Sequence, residues 1–259
     1  MAISNSISLT LLISILVLVH NVNSLSFKFP TFDSNYTSSI TFEGYAFASQ
    51  GYLQLTNIIN SGVPQPKSVG RASYSKPVHL WDAETGKLAS FTTSFSFIVS
   101  PTSFGLFGDG ISFFIAPFNS SIPSYSNGGY LGLFSGPTAL NSYANRIVAI
   151  ELDTFSNPWD PKSAHIGIDV NSIASVKTAY WNVEKQLTGI ATISYDAEVK
   201  SLSVYVNYPT GTSSASLSFE VDLRTVLPEW VRVGFSGATG EVVELHKILS
   251  WDFVISNFY

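Results

Sequence analysis

The sequence predicts an all-β protein, a jelly-roll sandwich of antiparallel sheets, and three observations support that class. Apolar and polar residues alternate along short segments from one end of the chain to the other, which is typical of half-buried strands. Turn-forming Gly, Pro, Asn and Ser separate these segments about every 8 to 12 residues. Of the 259 residues, 45% are hydrophobic and 14% aromatic, which is enough apolar material for a large core.

The strand predictions follow the chain. Three phenylalanines at spacings of four and two within residues 90–99 share one face of a strand. Residues 196–200 join two alternating segments as a hairpin, and only residues 223–227 indicate a helical turn, which Pro228 ends. Further strands are predicted at residues 111–116, 147–155, 166–170, 189–195, 202–208, 231–235 and 248–255.

Charge and cysteine content narrow the possible functions. The chain has 13 Lys and Arg against 18 Asp and Glu, a formal net charge of −5, and no cysteine. An acidic chain without a basic cluster does not neutralise a phosphate backbone, so the composition argues against nucleic acid as a partner. The lack of cysteine excludes disulfides, thiolate metal sites and cysteine nucleophiles together. Any site must therefore rely on oxygen and nitrogen ligands.

Residues 1–24 have the composition of a signal peptide. They contain no charged side chain, and their apolar stretch from Ile7 to Val19 is too short to cross a membrane. No later stretch is apolar enough for a span, so we expect a mature domain of residues 25–259 without membrane insertion. We expect it in the secretory pathway, in a vacuole or protein storage body, or outside the cell. The sequons at Asn35 and Asn119 are candidate glycosylation sites in that compartment.

An acidic strand end is the most informative segment. Glu151 and Asp153 are two residues apart on a predicted strand, so their carboxylates point to the same side. Asn157 and Asp160 follow in a loop, and His165 opens the next strand. A cation would relieve the cost of burying unpaired carboxylates. Oxygen ligands suit Ca²⁺, and a set with one imidazole suits Mn²⁺ or a similar metal. A surface loop with ordinary turn caps is the alternative.

The residues around this strand end, 148–173, resemble the metal-binding signature of the legume lectins, the concanavalin A-like family. The resemblance extends over essentially the whole mature chain and implies a legume-lectin jelly-roll β-sandwich that binds carbohydrate. Five further segments occur in the family's order: LSFKFPTF (25–32), GDGISFFIAP (108–117), GGYLGLF (128–134), LPEWVRVGFSGATG (227–240) and ILSWDF (248–253).

The resemblance implies two metal ions, Mn²⁺ and Ca²⁺, that share two aspartates. Glu151, Asp153, Asp160 and His165 match the transition-metal ligands. The calcium ligands match Asp153, Asn157, Asp160 and the carbonyl of Phe155.

The resemblance also implies a shallow carbohydrate site beside the metals. An Asp carboxylate accepts sugar hydroxyl protons, while an Asn amide and backbone N–H groups donate hydrogen bonds. An aromatic ring covers the apolar C–H face of the sugar. The matching residues are Asp109, Gly129, Phe155, Asn157, Glu241 and Val242.

The turn after Gly240 predicts the sugar class. Residues 240–251 form a short version that resembles mannose/glucose binders, whereas galactose-type relatives usually have extra residues here. Gal/GalNAc, fucose and chitobiose remain alternatives, and Gly237, where the family often has Ala, could reshape this edge. Gly108 also departs from the family, which usually has Ala before this aspartate in a cis peptide. That departure puts metal-free stability in doubt.

Rival functions make different predictions. Glucanases with this sandwich use a Glu-x-Asp-x-x-Glu strand, and here Ser156 stands where the second catalytic carboxylate is needed, so we predict no enzyme activity. His79 and His246 lack a recognisable partner motif and are interpreted as ordinary packed or surface histidines. A storage or defence protein with weak or no sugar binding is the other alternative. We expect glycans and glycoproteins as partners, and a homodimer or homotetramer, because weak single sites agglutinate only when linked.

Overall fold

The computed structural model describes residues 25–59, 62–101 and 105–258, and in that part of the chain nearly all regular structure is β. Three 3-10 turns lie at Thr37–Ser39, Gly128–Tyr130 and Gly136–Thr138, and one short helix, α1, spans Leu223–Val226. The strands are β1 (Leu25–Phe29), β2 (Ile40–Gly44), β3 (Phe47–Ser49), β4 (Tyr52–Gln54), β5 (Val69–Tyr74), β6 (Val78–His79), β7 (Ala89–Ser100), β8 (Gly110–Pro117), β9 (Val148–Asp153), β10 (His165–Val170), β11 (Lys177–Tyr180), β12 (Gly189–Asp196), β13 (Ser201–Asn207), β14 (Ser214–Glu220), β15 (Trp230–Ala238) and β16 (Leu245–Phe258).

The strands form two antiparallel sheets, which confirms the predicted sandwich. Sheet I has the order β14-β13-β12-β7-β16-β4-β3, with β1 beside β16. Sheet II has the order β11-β10-β9-β8-β15-β5-β2, with β6 beside β15. Most neighbours are distant in sequence, so both sheets depend on long-range pairing.

The sequence pattern located the long strands but not the short ones. Every predicted strand is present, and β15 and β16 extend beyond their predicted ends. The pattern did not pick out β1 to β6, β11 and β14. β5 is nearly continuously buried, so its residues do not alternate. β14 does alternate, with exposed Ser and Glu against inward-facing Ala215, Leu217 and Phe219, so its pattern was present and was overlooked.

An aromatic core joins the two sheets. Phe95 and Trp251 on sheet I meet Phe235 on sheet II, with ring centroids 4.8 Å apart in both pairs. Phe113 packs beside Phe235 at 5.9 Å. These side chains are at most 1% exposed. Aromatic pairs in such edge-on arrangements stabilise a core beyond the burial of their area.

Loops cover the outer face of sheet II and enclose a second, smaller core. Ala149 on β9 packs there with Leu131, Phe134 and Ile173, whereas Ile150 belongs to the core between the sheets. β9 is therefore buried on both faces. Since successive side chains alternate across a strand, Glu151 and Asp153 point to the same side as Ala149, into this loop-covered layer.

The remaining predictions concern the short helix, the signal peptide, the two sequons and membrane-spanning segments. The helix α1 is one residue shorter than expected, because Leu227 is already extended before Pro228. The predicted signal peptide, residues 1–24, lies outside the described residues. Asn35 and Asn119 are both exposed. None of the described helices has the length and apolarity to traverse a bilayer.

Candidate functional site

Strands β9 and β10 bring three potential ligands together on the outer face of sheet II. Their register places His165 opposite Asp153 and Gly167 opposite Glu151. One ligand atom from each of Glu151, Asp153 and His165 lies within 4.8 Å of the others. A Cβ at position 167 would lie 2.3 Å from Glu151 Oε1, so glycine leaves room for that carboxylate.

Ser175 lies between the carboxyl groups of Glu151 and Asp169. Ser175 Oγ lies 2.6 Å from Glu151 Oε1 and 2.7 Å from Asp169 Oδ1. One hydroxyl proton can be donated to only one of these two carboxyl groups at a time. Burial first, and then the charge of Glu151, raise the pKa of Asp169 well above its ordinary value.

Two carboxylates accept hydrogen bonds from backbone N–H groups of the loop after β9. Asp153 Oδ1 accepts the N–H of Phe155 at 2.7 Å, and Asp160 Oδ2 accepts the N–H of Asn157 at 2.8 Å. Asp160 lies outside the tight group of three ligand atoms. Its charge nevertheless raises the pKa of Asp153, after the larger effects of burial and of Glu151.

Buried carboxylates without a full set of partners distinguish this region. Among the described residues, each of the five buried carboxylates leaves one oxygen without a hydrogen bond. The only ion pairs that reach this group, within the described ranges, come from histidines: His165 with Glu151, and His246 with Glu244. Unpaired buried carboxylates are costly, and the two of the five that lie with His165, namely Glu151 and Asp153, fit a divalent cation. The five are Asp109, Glu151, Asp153, Asp169 and Glu244.

His165 has opposing influences on its pKa. Burial lowers the pKa, but the hydrogen bond from Nε2 to Glu151 at 3.0 Å and the charges of Glu151 and Asp160 outweigh burial, so the pKa is raised. A cation that replaced this proton would relieve the same carboxylates. The imidazole is therefore placed to act either as a proton carrier or as a metal ligand.

Asp109 lies directly before β8, close to Gly128 and Gly240. Its peptide bond with Gly108 is cis. A Cβ on Gly240 would lie 3.0 Å from Asp109 Oδ2, and one on Gly128 would lie 3.8 Å from Oδ1. Burial raises the pKa of Asp109 to about 7, with smaller contributions from nearby carboxylates, although a hydrogen bond from the Gly240 N–H lowers it.

Glycines also let the other site segments approach one another. A Cβ on Gly129 would lie 2.1 Å from Asn157 Oδ1, and one on Gly108 would lie 2.7 Å from the Cβ of Phe155. The same position on Gly108 is 3.2 Å from a methyl group of Val242. The segments at 108–109, 128–129, 155–157 and 240–242 therefore meet at one end of sheet II.

The sequence predictions and the geometry agree on this meeting point but not on every neighbour. Ser175 and Asp169 were not predicted, although Asp169 follows His165 by four residues on the same strand face and could have been found from that spacing. Gly237, expected at the sugar edge, lies within β15, and a Cβ on it would lie 3.1 Å from the Cβ of Leu55. His246 is fully buried, and its acidic partner Glu244, two residues earlier, was missed.

Known proteins match this chain in fold and over most of its length. A family model described as the legume lectin domain matches residues 24–258. Lectin 7 of Medicago truncatula is 58% identical over 254 residues, which cover 93% of each chain.

Solved structures give the same result. The metal-free form of lectin I-B4 from Griffonia simplicifolia superposes with a TM-score of 0.85 at 43% identity, over 90% of this chain and 100% of that one. Lectin II from Ulex europaeus gives 0.83 at 43% identity, over 92% and 100%. The match over nearly the whole length confirms the resemblance and the non-catalytic prediction: the chain belongs to the legume lectin family of carbohydrate-binding proteins.

Proposed function

We propose that the protein binds glycans without catalysis, in a Ca²⁺- and Mn²⁺-dependent way, at the end of sheet II. The observation that supports this most strongly is the set of incompletely partnered buried carboxylates next to Asp109 and Asn157. A site that only stabilised the fold would not need so many acceptors without donors.

The proposed metal ligands divide between two ions. Mn²⁺ is assigned to Glu151, Asp153, Asp160 and His165, and Ca²⁺ to Asp153, Asn157, Asp160 and the carbonyl of Phe155. Bound cations would neutralise these carboxylates and fix their positions. The buried and unpartnered Oδ1 of Asn157 suits a cation, which leaves the Asn157 amide NH₂ free to donate to a sugar.

Recognition of the sugar is assigned to the four segments that meet above the metals. The Asp109 carboxylate accepts two hydroxyl protons, while the Gly129 N–H and the Asn157 amide donate. Phe155 lies under the apolar face of the sugar ring. The backbone N–H groups of Glu241 and Val242 donate to the ring and exocyclic oxygens, which leaves their side chains free to vary.

Mannose or glucose is the first candidate sugar, because the turn at residues 240–251 is short. Galactose or N-acetylgalactosamine is the second, because solved relatives carry these sugars: Ulex europaeus lectin II is complexed with galactose, and the Bauhinia forficata lectin with GalNAc. The two classes differ at the C4 hydroxyl, which Asp109 and the 240–242 turn would contact from different sides.

A glycan array with and without Ca²⁺ and Mn²⁺ tests the proposal. We expect mannosides to give the strongest signals, only with metal, and Asp109→Asn to lose them without unfolding. Strong galactoside signals with silent mannosides would transfer the specificity to the second candidate. No signal on any glycan with metal present would contradict carbohydrate binding.

Assembly and location complete the proposal. We propose a homodimer or homotetramer in a vacuole, a protein storage body or the extracellular space, reached through cleavage of residues 1–24. Exposure of both sequon asparagines supports glycosylation on that route. Light scattering gives the mass of the assembly, and a peptide-N-glycosidase shift on the native protein reports sequon occupancy. Linked sites would turn weak single-site binding into agglutination.

A further inference from the structure

A buried hydrogen-bond chain lies beneath the turn at residues 240–243. Glu244 follows the turn directly and is 0% exposed. Its Oε1 accepts from Thr154 Oγ1 at 2.7 Å and lies 2.9 Å from His246 Nε2. His246 Nδ1 lies 3.1 Å from Thr56 Oγ1, which ends the chain on the segment after β4.

Thr154 connects this chain to the sugar and metal segments. It stands between Asp153 and Phe155, at the point where β9 ends. Its backbone N–H donates to the carbonyl of Asp109 at 2.9 Å, and its hydroxyl oxygen lies 3.0 Å from the same carbonyl. Glu244 is thus one hydrogen bond from the metal loop and two from Asp109.

The protons in this chain can all be placed. The Asp109 carbonyl already has the Thr154 N–H, so the single hydroxyl proton of Thr154 is available for Glu244. An imidazole with its proton on Nε2 donates to Glu244, and its Nδ1 then accepts from the Thr56 hydroxyl. One tautomer of His246 therefore satisfies both hydrogen bonds of the ring, which favours a single rigid arrangement.

The turn has one firm anchor at its start and needs another at its end. At the start, the Lys67 N–H donates to the Gly240 carbonyl at 2.9 Å. The ion pair between Lys67 and Glu241 has both side chains more than 60% exposed, so it adds little rigidity. At the end, the buried side chain of Glu244 ties the turn to Thr154 and His246.

We propose that Glu244, through Thr154, is a positioning residue of the carbohydrate site. It holds the N–H groups of residues 241 and 242 at a fixed distance from Asp109 and Asn157 and touches neither sugar nor metal. The inference rests on the proposed function, and it adds a link between the metal loop and the sugar turn that does not pass through a metal ligand.

Calorimetry with saturating Ca²⁺ and Mn²⁺ tests this link on the full protein, with the glycan that binds best to the wild type. Glu244→Ala and Thr154→Val should each weaken sugar binding roughly tenfold, the effect of one lost hydrogen bond to a charged group. The double variant should lose little more than the weaker-binding single variant, because both changes break the same link. Thr154→Ser keeps the hydroxyl and should bind within about twofold of wild type.

Thr93→Val is the matched control. Thr93 is a buried threonine on sheet I, whereas the site lies on sheet II. It donates to the Asp252 carbonyl at 2.7 Å and accepts from Trp251 at 2.9 Å. This variant should lower the melting temperature about as much as Thr154→Val and leave sugar affinity unchanged.

Three results would overturn the positioning role: unchanged sugar affinity in Glu244→Ala, additive losses in the double variant, or sugar affinity restored merely by raising Ca²⁺. The last result would mean that Glu244 acts by supporting the metal. A wild type that binds no glycan with metals present would instead refute the proposed function, and the inference with it.

Discussion

The two buried regions of the sandwich differ in how their buried polar atoms are paired. In the core between the sheets, Trp251 donates to Thr93, and Thr93 donates to a backbone carbonyl, so these polar atoms are paired within the protein. Under the loops of sheet II, Glu151 and Asp153 are as deeply buried, yet each leaves an oxygen unpartnered. The Trp251 and Thr93 groups of the core are satisfied within the protein, whereas the loop-covered face has carboxylate oxygens that a cation would satisfy.

That contrast separates stability from function. Burial of apolar surface stabilises the core whatever is bound. If the cluster binds cations as proposed, it opposes folding when it is empty, and cation binding converts this cost into stability, because a ligand that binds only the folded state shifts the unfolding equilibrium. The two regions should therefore respond differently to mutation, pH and chelation.

Truncation in the core should have the largest effect on stability. Phe95 packs against Phe97, Phe113 and Phe235 and is 1% exposed. Phe95→Ala should lower the free energy of unfolding by about 3–5 kcal/mol. Denaturant unfolding measures this loss, while calorimetry on the folded variant should give the wild-type sugar affinity. A loss of sugar affinity in the folded variant would contradict this separation of stability from function.

pH should act on the other region, and only without metal. The pKa of Asp109 is raised to about 7 and that of Asp160 to about 6, from an ordinary value of 3.8. The metal-free folded protein therefore binds more protons than the unfolded chain between about pH 4 and 7, so its free energy of unfolding falls as pH rises through that window. Asp109 alone would contribute on the order of 4 kcal/mol.

Denaturant unfolding at pH 5 and pH 8 measures this difference, in a chelator and in saturating Ca²⁺ and Mn²⁺. Metal should remove most of the dependence, because a bound cation keeps its ligand Asp160 ionised and its charge favours the ionised form of nearby Asp109. Equal stability at both pH values without metal would show that the cluster does not oppose folding.

A methyl group at Gly129 should affect binding alone and should have the smallest effect of the three. Its Cβ would meet Asn157 Oδ1 at 2.1 Å, so the amide has to move. Gly129→Ala should weaken sugar binding roughly tenfold. Gly62→Ala changes a glycine whose Cβ would meet nothing within 4 Å, although its φ of +76° adds strain in the turn, and it should leave affinity unchanged. Equal affinity in both variants would contradict the close approach of residues 129 and 157.

The sequence alone could predict whatever depends on local pattern. The alternating strands revealed the core, and the two-residue spacing of Glu151 and Asp153 placed both carboxylates on one face. Asp109 and Gly129 came only from the family resemblance, because no local pattern says which distant loops meet. Asp169 and Glu244 were missed for a related reason. Asp169 lies on β10 and Glu244 directly before β16, and only the three-dimensional arrangement shows that their partners are Ser175 and Thr154.

Metal depletion is the most direct test of the central claim, that the buried carboxylates hold cations on which glycan binding depends. The measurement is calorimetric titration of the best array glycan into protein that has been stripped with chelator and dialysed, before and after addition of Ca²⁺ and Mn²⁺. We predict no binding heat in the stripped protein and full recovery after addition. Unchanged affinity in protein shown by elemental analysis to contain no metal would contradict the account.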